Sequence, residues 1–295
     1  MRKFIIALSA VGLAAAGVAP AAGPLPATPA ATDLRLGSLR LTSLVDARFV
    51  APNDGKTFGT DVGPAAVAQF LRARKLPTNE IPLSVSALLV RGILHRVVLI
   101  DTGLGPKAHG QLLASLARAG VTPNQVTDVL ITHSHGDHVG GLLDPSGKPA
   151  FPNAVVRMAD AEWTFLRGQA DAKALVGAIT TQVRPFAPGG EVIPGVVSVF
   201  FPGHTPGHVG YRITSGRTTL LDIGDTAHSS IVSLGHPEWA MGFDGDQALG
   251  RQTRKTELSR LAKTRTLIFS PHFPYPGVGR VIAKAGSYVW LPSLR

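Results

Sequence analysis

"THSHGDHVGG", Thr132 to Gly141, puts three histidines and an aspartate within six consecutive positions of a chain that has only 10 histidines in 295 residues. The run "VTDVLIT" (Val126–Thr132) reads as a buried-type strand leading straight into it. Loops at the ends of rigid strands are where binding and catalytic side chains concentrate. His133 and His135 are two apart, so in extended backbone they project the same way. Asp137 and His138 follow on a turn, where Gly136, Gly140 and Gly141 let the backbone fold tightly. Neutral imidazole and carboxylate are good ligands for Zn2+ and similar divalent ions. Four candidate ligands exceed what one tetrahedral ion normally takes from so short a stretch, which points to two ions.

Further candidates stand at the ends of later apolar runs. "FFPGHTPGHVG" supplies His204, "LLDIGDTAH" supplies Asp225, and "LIFSPHFPYP" supplies His272. A local cluster plus three strand-end residues is a far more specific signal than any one part. There is no cysteine, so disulfides, thiolate ligands and a thiol nucleophile are excluded.

Hydrophobic residues make up 44% and charged residues 16%, the balance of a globular chain rather than a disordered one. Residues 1–22 read as a secretory signal peptide: Arg2 and Lys3, an apolar run from Phe4 to Val18, then Ala19-Pro20-Ala21. The apolar run is short for a membrane span, which needs roughly 20 residues. Cleavage therefore leaves no stable membrane anchor, and the location expected is the bacterial periplasm or beyond. Residues 23–33 read as a flexible lead-in, and residues 34–295 as one domain. The formal net charge of +10 falls to +8 when Arg2 and Lys3 are removed. No block of five or more Lys or Arg accompanies it, so a solvated basic surface is expected and nucleic acid is not expected as a partner. The expected partner is a small-molecule substrate, and a homodimer is left open.

Strand and helix patterns alternate along the domain. "LRLGSLRLTSLVDARFVA" reads as a strand pair, "SVSALLVRGILHRVVLIDTG" as a hairpin, and "GPKAHGQLLASLARAG" as an amphipathic helix. "DGDQALGRQTRKTELSRLAK" reads as a long polar helix, and "RTLIFSPH" as a strand ending at His272. The class is α/β or α+β with substantial sheet.

The ordered set His133-x-His135-x-Asp137-His138, Gly-His204-Thr-Pro-Gly-His, Gly224-Asp225 and His272 resembles the metallo-β-lactamase-fold hydrolase superfamily. "FPNAVVRMADAEW", "GHTPGHVGYRI" and "PHFPYPGVGRVIAKAGSYVWLP" are similar to its methyl parathion hydrolase branch, which includes lactonase-like and arylesterase-like members. The resemblance implies a four-layer αβ/βα sandwich, two mixed β-sheets with helices outside and metals at one edge. It implies that His133, His135 and His204 hold one divalent ion, that Asp137, His138 and His272 hold the other, and that Asp225 bridges them. Zn2+ is the expected metal. By the same resemblance Asp137 and Asp225 are also expected to take part in the chemistry, in which a bridging hydroxide would attack an ester, lactone or phosphotriester. Asp101 matches a family position that supports the ligand loop, with a strand-end turn cap the alternative. His208 is expected outside the ligand set, and His228 and His236 in a substrate-side loop without a catalytic part. Trp239, Met241, Phe273 and Phe58 are candidates for a pocket lining, with core packing the alternative.

Alternatives on the same fold are a glyoxalase-type thioesterase, a β-lactamase and a mononuclear-iron persulfide dioxygenase. β-Lactamases generally lack the bridging Asp. A metal-dependent nuclease and a non-catalytic metal-binding protein fit less well.

Overall fold

The computed structural model describes residues 23–294; the signal peptide expected over residues 1–22 lies outside the described residues. One sheet has eight strands: β1 (Gly23–Pro26), β2 (Ala31–Leu36), β3 (Leu39–Pro52), β4 (Glu80–Ile93), β5 (Arg96–Ile100), β6 (Asp128–Leu130), β7 (Val155–Ala159) and β8 (Val183–Phe186). The other has seven: β9 (Glu191–Ile193), β10 (Val196–Phe200), β11 (Val209–Ser215), β12 (Thr218–Asp222), β13 (Leu267–Phe269), β14 (Val278–Lys284) and β15 (Ser287–Pro292). Both are mixed: β5 to β8 run parallel, as do β12 and β13, and the other pairs are antiparallel. The helices are α1 (Gly63–Arg72), α2 (Leu112–Arg118), α3 (Gly136–Val139), α4 (Asp160–Gly168), α5 (Lys173–Ile179), α6 (Val232–Gly235) and α7 (Gln247–Thr264). None of them is long and apolar enough to cross a membrane.

The layers follow from the period-2 alternation of strand side chains. Leu88, Val90, Val98, Ile100 and Leu130 point inward to meet Val196, Val209, Tyr211, Ile213 and Phe269 of the second sheet. Leu89, Leu99 and Val129 point the opposite way and pack under α2, α4 and α5 through Leu112, Leu116, Trp163, Leu166 and Ile179. On the far side, Leu221 and Ile268 pack against Leu258 and Leu261 of α7. Strands buried on both faces read as continuous apolar runs, which is why "ALLV" and "VVLI" carry no polar alternation. The four-layer sandwich expected from the sequence is the architecture found.

Three local expectations need correction. The lead-in is strand at both ends rather than flexible throughout: β1 and β2, with residues 27–30 between them, follow one another along the same edge of β3, pairing Gly23 with Val50 and Ala31 with Leu44. An open backbone edge satisfies hydrogen bonds that no apolar pattern in this Pro- and Ala-rich stretch announces. The helix expected from Gly105 is interrupted at His109 (φ +61°) and starts only at Leu112. The strand expected to end at His272 ends at Phe269, leaving His272 on a loop.

Candidate metal centre

β6 ends at Leu130, and the chain turns through Thr132–Gly136 into α3 at the edge where the two sheets meet. Asp101 shapes that turn. It sits at φ +59°, a conformation costly for a residue with a side chain. Its carboxylate accepts the Thr132 N–H and hydroxyl, both at 2.8 Å, and lies 2.8 Å from His138 Nδ1. Asp101 thus ties the start of the turn at Thr132 to the His138 ring.

The structure brings all seven predicted residues together. Donor atoms of His133, His135, His204 and Asp225 lie within 4.8 Å of one another, as do those of Asp137, His138 and His272. His133 Nε2 is 3.1 Å from both His135 Nδ1 and His204 Nε2. Asp225 lies between the two groups. Its Oδ2 is 3.3 Å from His204 Nε2 and 3.6 Å from His133 Nε2, and its Oδ1 is 3.3 Å from His138 Nε2 and 3.1 Å from His272 Nε2. Asp137 Oδ2 stands 3.6 Å from His272 Nε2 and 3.8 Å from His138 Nε2. Ligands tetrahedrally disposed at about 2.05 Å from an ion are about 3.3 Å apart, so these spacings suit a shared cation. His138 Nε2 and Asp225 Oδ1 are buried without a hydrogen bond. A buried polar atom left so costs about 1–3 kcal/mol, and a cation between them removes that cost.

The outward nitrogens are anchored. His204 Nδ1 lies 3.0 Å from Asp244 Oδ1, and Asp244 Oδ2 accepts a hydrogen bond from the buried Arg254 at 3.1 Å. Arg254 is held in turn by the carbonyls of Pro237 and Trp239. His272 Nδ1 lies 2.8 Å from the Ser84 carbonyl. Such partners fix the tautomer and orientation of a ligating imidazole.

Electrostatics prepare the donors. Burial, then His138, pushes His133 well below its ordinary range, and burial, then His204, lowers His135 to about 4, so both keep a free lone pair. Burial alone would raise the Asp225 carboxyl, but His272, His138, His228 and His133 around it outweigh this and hold it well below the usual carboxylate range. For His204 burial is outweighed by Asp225 and Asp244, which lift it to about 9. Cation binding there competes with a proton.

Sequence reasoning missed four contributors. Glu162 of α4 is fully buried. It accepts the Ser134 N–H and hydroxyl at 2.7 and 2.5 Å, the Thr205 hydroxyl at 2.7 Å and the Gly207 N–H at 2.9 Å, tying the His133–His135 turn to the His204 loop. Its only signal was an acidic residue among apolar neighbours. Asp244 and Arg254 read as members of a polar helix region. His228, expected as an ordinary loop residue, is buried 3.1 Å from Asp225 Oδ2 and stacks on His272. His208 is outside the ligand set, as expected: its Nδ1–H donates to Phe201 O and its Nε2 accepts the Asp225 N–H.

A pocket of about 480 Å3 opens over Asp137, Asp225, His228 and His272, walled by Phe49, Leu83, Leu104 and Phe243. The pocket residues suggested by sequence are elsewhere. Phe58 and Met241 pack in a core cluster near α1, Phe273 packs on Trp290, and Trp239 stacks on His236.

Residues 81–272 match the metallo-beta-lactamase superfamily model. The chain belongs to the metallo-beta-lactamase superfamily. Within it, the chain superposes on AidC, a dizinc quorum-quenching lactonase solved with its product N-hexanoyl-L-homoserine. The TM-score is 0.84 at 27% identity, covering 90% of this chain and 98% of that one. An N-acyl homoserine lactonase from Bacillus cereus is 25% identical over 207 residues, 67% of this chain and 78% of the relative. The protein YobT from Bacillus subtilis (strain 168) is 26% identical over 159 residues, 50% of this chain and 66% of that protein. The superfamily site is therefore a His/Asp metal centre on a hydrolase fold with lactonase neighbours.

Proposed function

We propose that this chain is an exported hydrolase of lactones and related activated esters, working with two divalent ions, Zn2+ first among them. The observation that carries the reading is Asp225, which stands between both groups: its Oδ2 lies 3.3 Å from His204 Nε2 and 3.2 Å from His272 Nε2, and its Oδ1 lies 3.3 Å from His138 Nε2 and 3.1 Å from His272 Nε2. The likeness to a dizinc lactonase and to an N-acyl homoserine lactonase supports the lactone. Two ions bound here would supply Lewis acidity, polarising a carbonyl oxygen and acidifying water to a pKa near about 7.

The chain's own residues decide what enters. Phe49, Leu83, Leu104 and Phe243 give an apolar wall suited to an acyl chain. Among the described residues no Lys or Arg lines the pocket, which favours neutral lactones, esters and phosphotriesters over an anionic penicillin. His228 lines the pocket with Nε2 3.1 Å from Asp225 Oδ2 and Nδ1 without a hydrogen-bond partner, so its ring is placed to hold a proton against a substrate oxygen. Asp137 is partly exposed at the pocket floor and is placed to orient a water molecule.

The test is a panel of acyl homoserine lactones, a nitrophenyl ester, a neutral phosphotriester and a penicillin, with and without chelator, alongside metal analysis. Chelator-sensitive lactone hydrolysis with about two ions per chain is expected. Penicillin turnover alone, or chelator-insensitive activity, overturns the reading. Export rests on the pattern Arg2-Lys3, apolar run, Ala19-x-Ala21. Mass spectrometry of periplasmic protein should find a start near Ala22 or Gly23, and an intact Met1 on membrane-bound protein refutes export.

A further inference from the structure

We propose that Asp46 is a positioning residue of the substrate pocket, holding the Gly103–Leu112 loop and its Leu104 wall against the turn that carries Asp137 and His138. The role rests on the pocket reading given above.

Asp46 is the extra residue of a β-bulge. Val45 of β3 pairs with Ser86 of β4 and Ala47 with the adjacent Val85, so Asp46 has no partner of its own. A bulge re-aims a side chain, and bulges recur beside active sites. The Asp46 carboxylate is fully buried. Its Oδ2 accepts the Leu104 N–H at 2.7 Å, its Oδ1 accepts the Leu112 N–H at 3.0 Å, and its main-chain oxygen accepts the Gln111 N–H at 2.9 Å. No Lys, Arg or His pairs with it among the described residues. Burying a carboxylate without a counter-charge is costly, and burial pushes this one up to about 6.

The loop closes on that carboxylate because two glycines leave nothing between. A Cβ at Gly103 (φ +68°) would lie 2.3 Å from Asp46 Cγ, and one at Gly110 would lie 2.5 Å from Oδ1. The other side of the loop is equally tight. A Cβ at Gly105 would lie 2.2 Å from the Gly140 carbonyl oxygen, and one at Gly140 would lie 2.3 Å from the Leu104 carbonyl oxygen. The Gly141 N–H donates to Gly103 O at 3.2 Å, and the Thr102 N–H to His138 O at 2.8 Å. Leu104 is thus set between Asp46 and the metal-ligand turn, with its side chain in the pocket wall. Asp46 touches neither the seven donors nor the pocket, and acts through the Leu104 N–H.

Asp46→Asn keeps the size, but its amide accepts from only one of the two N–H groups and turns a donor toward the other. In full-length, metal-loaded protein we expect wild-type metal content with amide exchange over residues 102–113 faster by about tenfold. We also expect the ratio of kcat/KM for long-chain over short-chain acyl lactones to fall by about tenfold through KM, with kcat within about twofold. Leu104→Ala should shift that ratio the same way, and the double variant should add little to it. Ser198→Ala removes a partly buried hydrogen bond at the other sheet, accepted from the Gly189 N–H, and controls for lost stability; it should leave the ratio unchanged. Unchanged exchange over 102–113, additive effects of the two substitutions, or metal loss in Asp46→Asn overturns the proposal. If wild-type protein hydrolyses no lactone, the proposed function fails while the exchange measurement still decides the role of Asp46.

Discussion

His208 Nε2 accepts the main-chain N–H of Asp225 at 3.0 Å, while its Nδ1–H donates to the carbonyl of Phe201. Both ring nitrogens are therefore committed, and burial, with His204 beside it, lowers its pKa to about 3. A histidine four residues after His204 thus fixes the backbone of the central aspartate without offering a donor to a cation.

That arrangement separates two substitutions that look alike in sequence. His204→Ala should cost about one ion per chain by elemental analysis. His208→Ala should keep metal content near wild type but lower stability by about 1–3 kcal/mol, since it strands a buried N–H and a buried carbonyl. Equal metal loss in both would refute the assignment.

Asp225→Ala removes the carboxylate that, among the described residues, stands within 3.3 Å of both His204 and His138. Activity should drop by about a hundred- to a thousandfold, the loss that follows removal of one preorganised polar group from an active site. The far-ultraviolet circular dichroism should be unchanged, because Asp225 lies beyond the end of β12. A mild defect would show that the bridge is not needed.

Glu162→Gln tests the clamp between the two ligand loops. Four donors converge on this carboxylate, and a glutamine must turn its NH2 toward some of them. Metal affinity is expected to weaken by about 10–100-fold, the usual effect of losing an outer partner. Chelator titration that matches wild type would reduce Glu162 to packing alone.

His228→Ala should retain both ions and lower kcat/KM for lactones by about ten- to a hundredfold. The motive is its place in the pocket wall, with Nε2 3.1 Å from Asp225 Oδ2 and Nδ1 without a partner. Loss of metal in this variant would make His228 a ligand rather than a substrate-facing group.

Asp46 supplies a pH test. Its carboxyl is raised from 3.8 to about 6, chiefly by burial. A raised carboxyl contributes its stability in full below the unfolded value and loses it as pH rises through the folded one. The Tm of metal-free Asp46→Asn, taken relative to wild type, should therefore climb between pH 3.8 and about 6 and then level off. A flat difference across that window would show that Asp46 does not titrate there.

The donor set was legible because its parts are chemically rare and locally spaced: His133 to His138 in one turn, and His204, Asp225 and His272 each after an apolar run. The strands were legible because burial on both faces leaves runs such as "VVLI" without polar residues. Local sequence carries such patterns because they reflect backbone period and side-chain chemistry alone. It could not show that Asp46 occupies a bulge, that Glu162 joins two loops 28 and 45 residues away, or that Arg254 is buried beneath Asp244. Nor could it show that Phe49, Leu83, Leu104 and Phe243, rather than Trp239 or Phe273, wall the pocket. Those roles depend on which groups meet across the chain after folding. An acidic or aromatic side chain has the same local signature whether its partners are water, core or substrate, so only the tertiary structure assigns them.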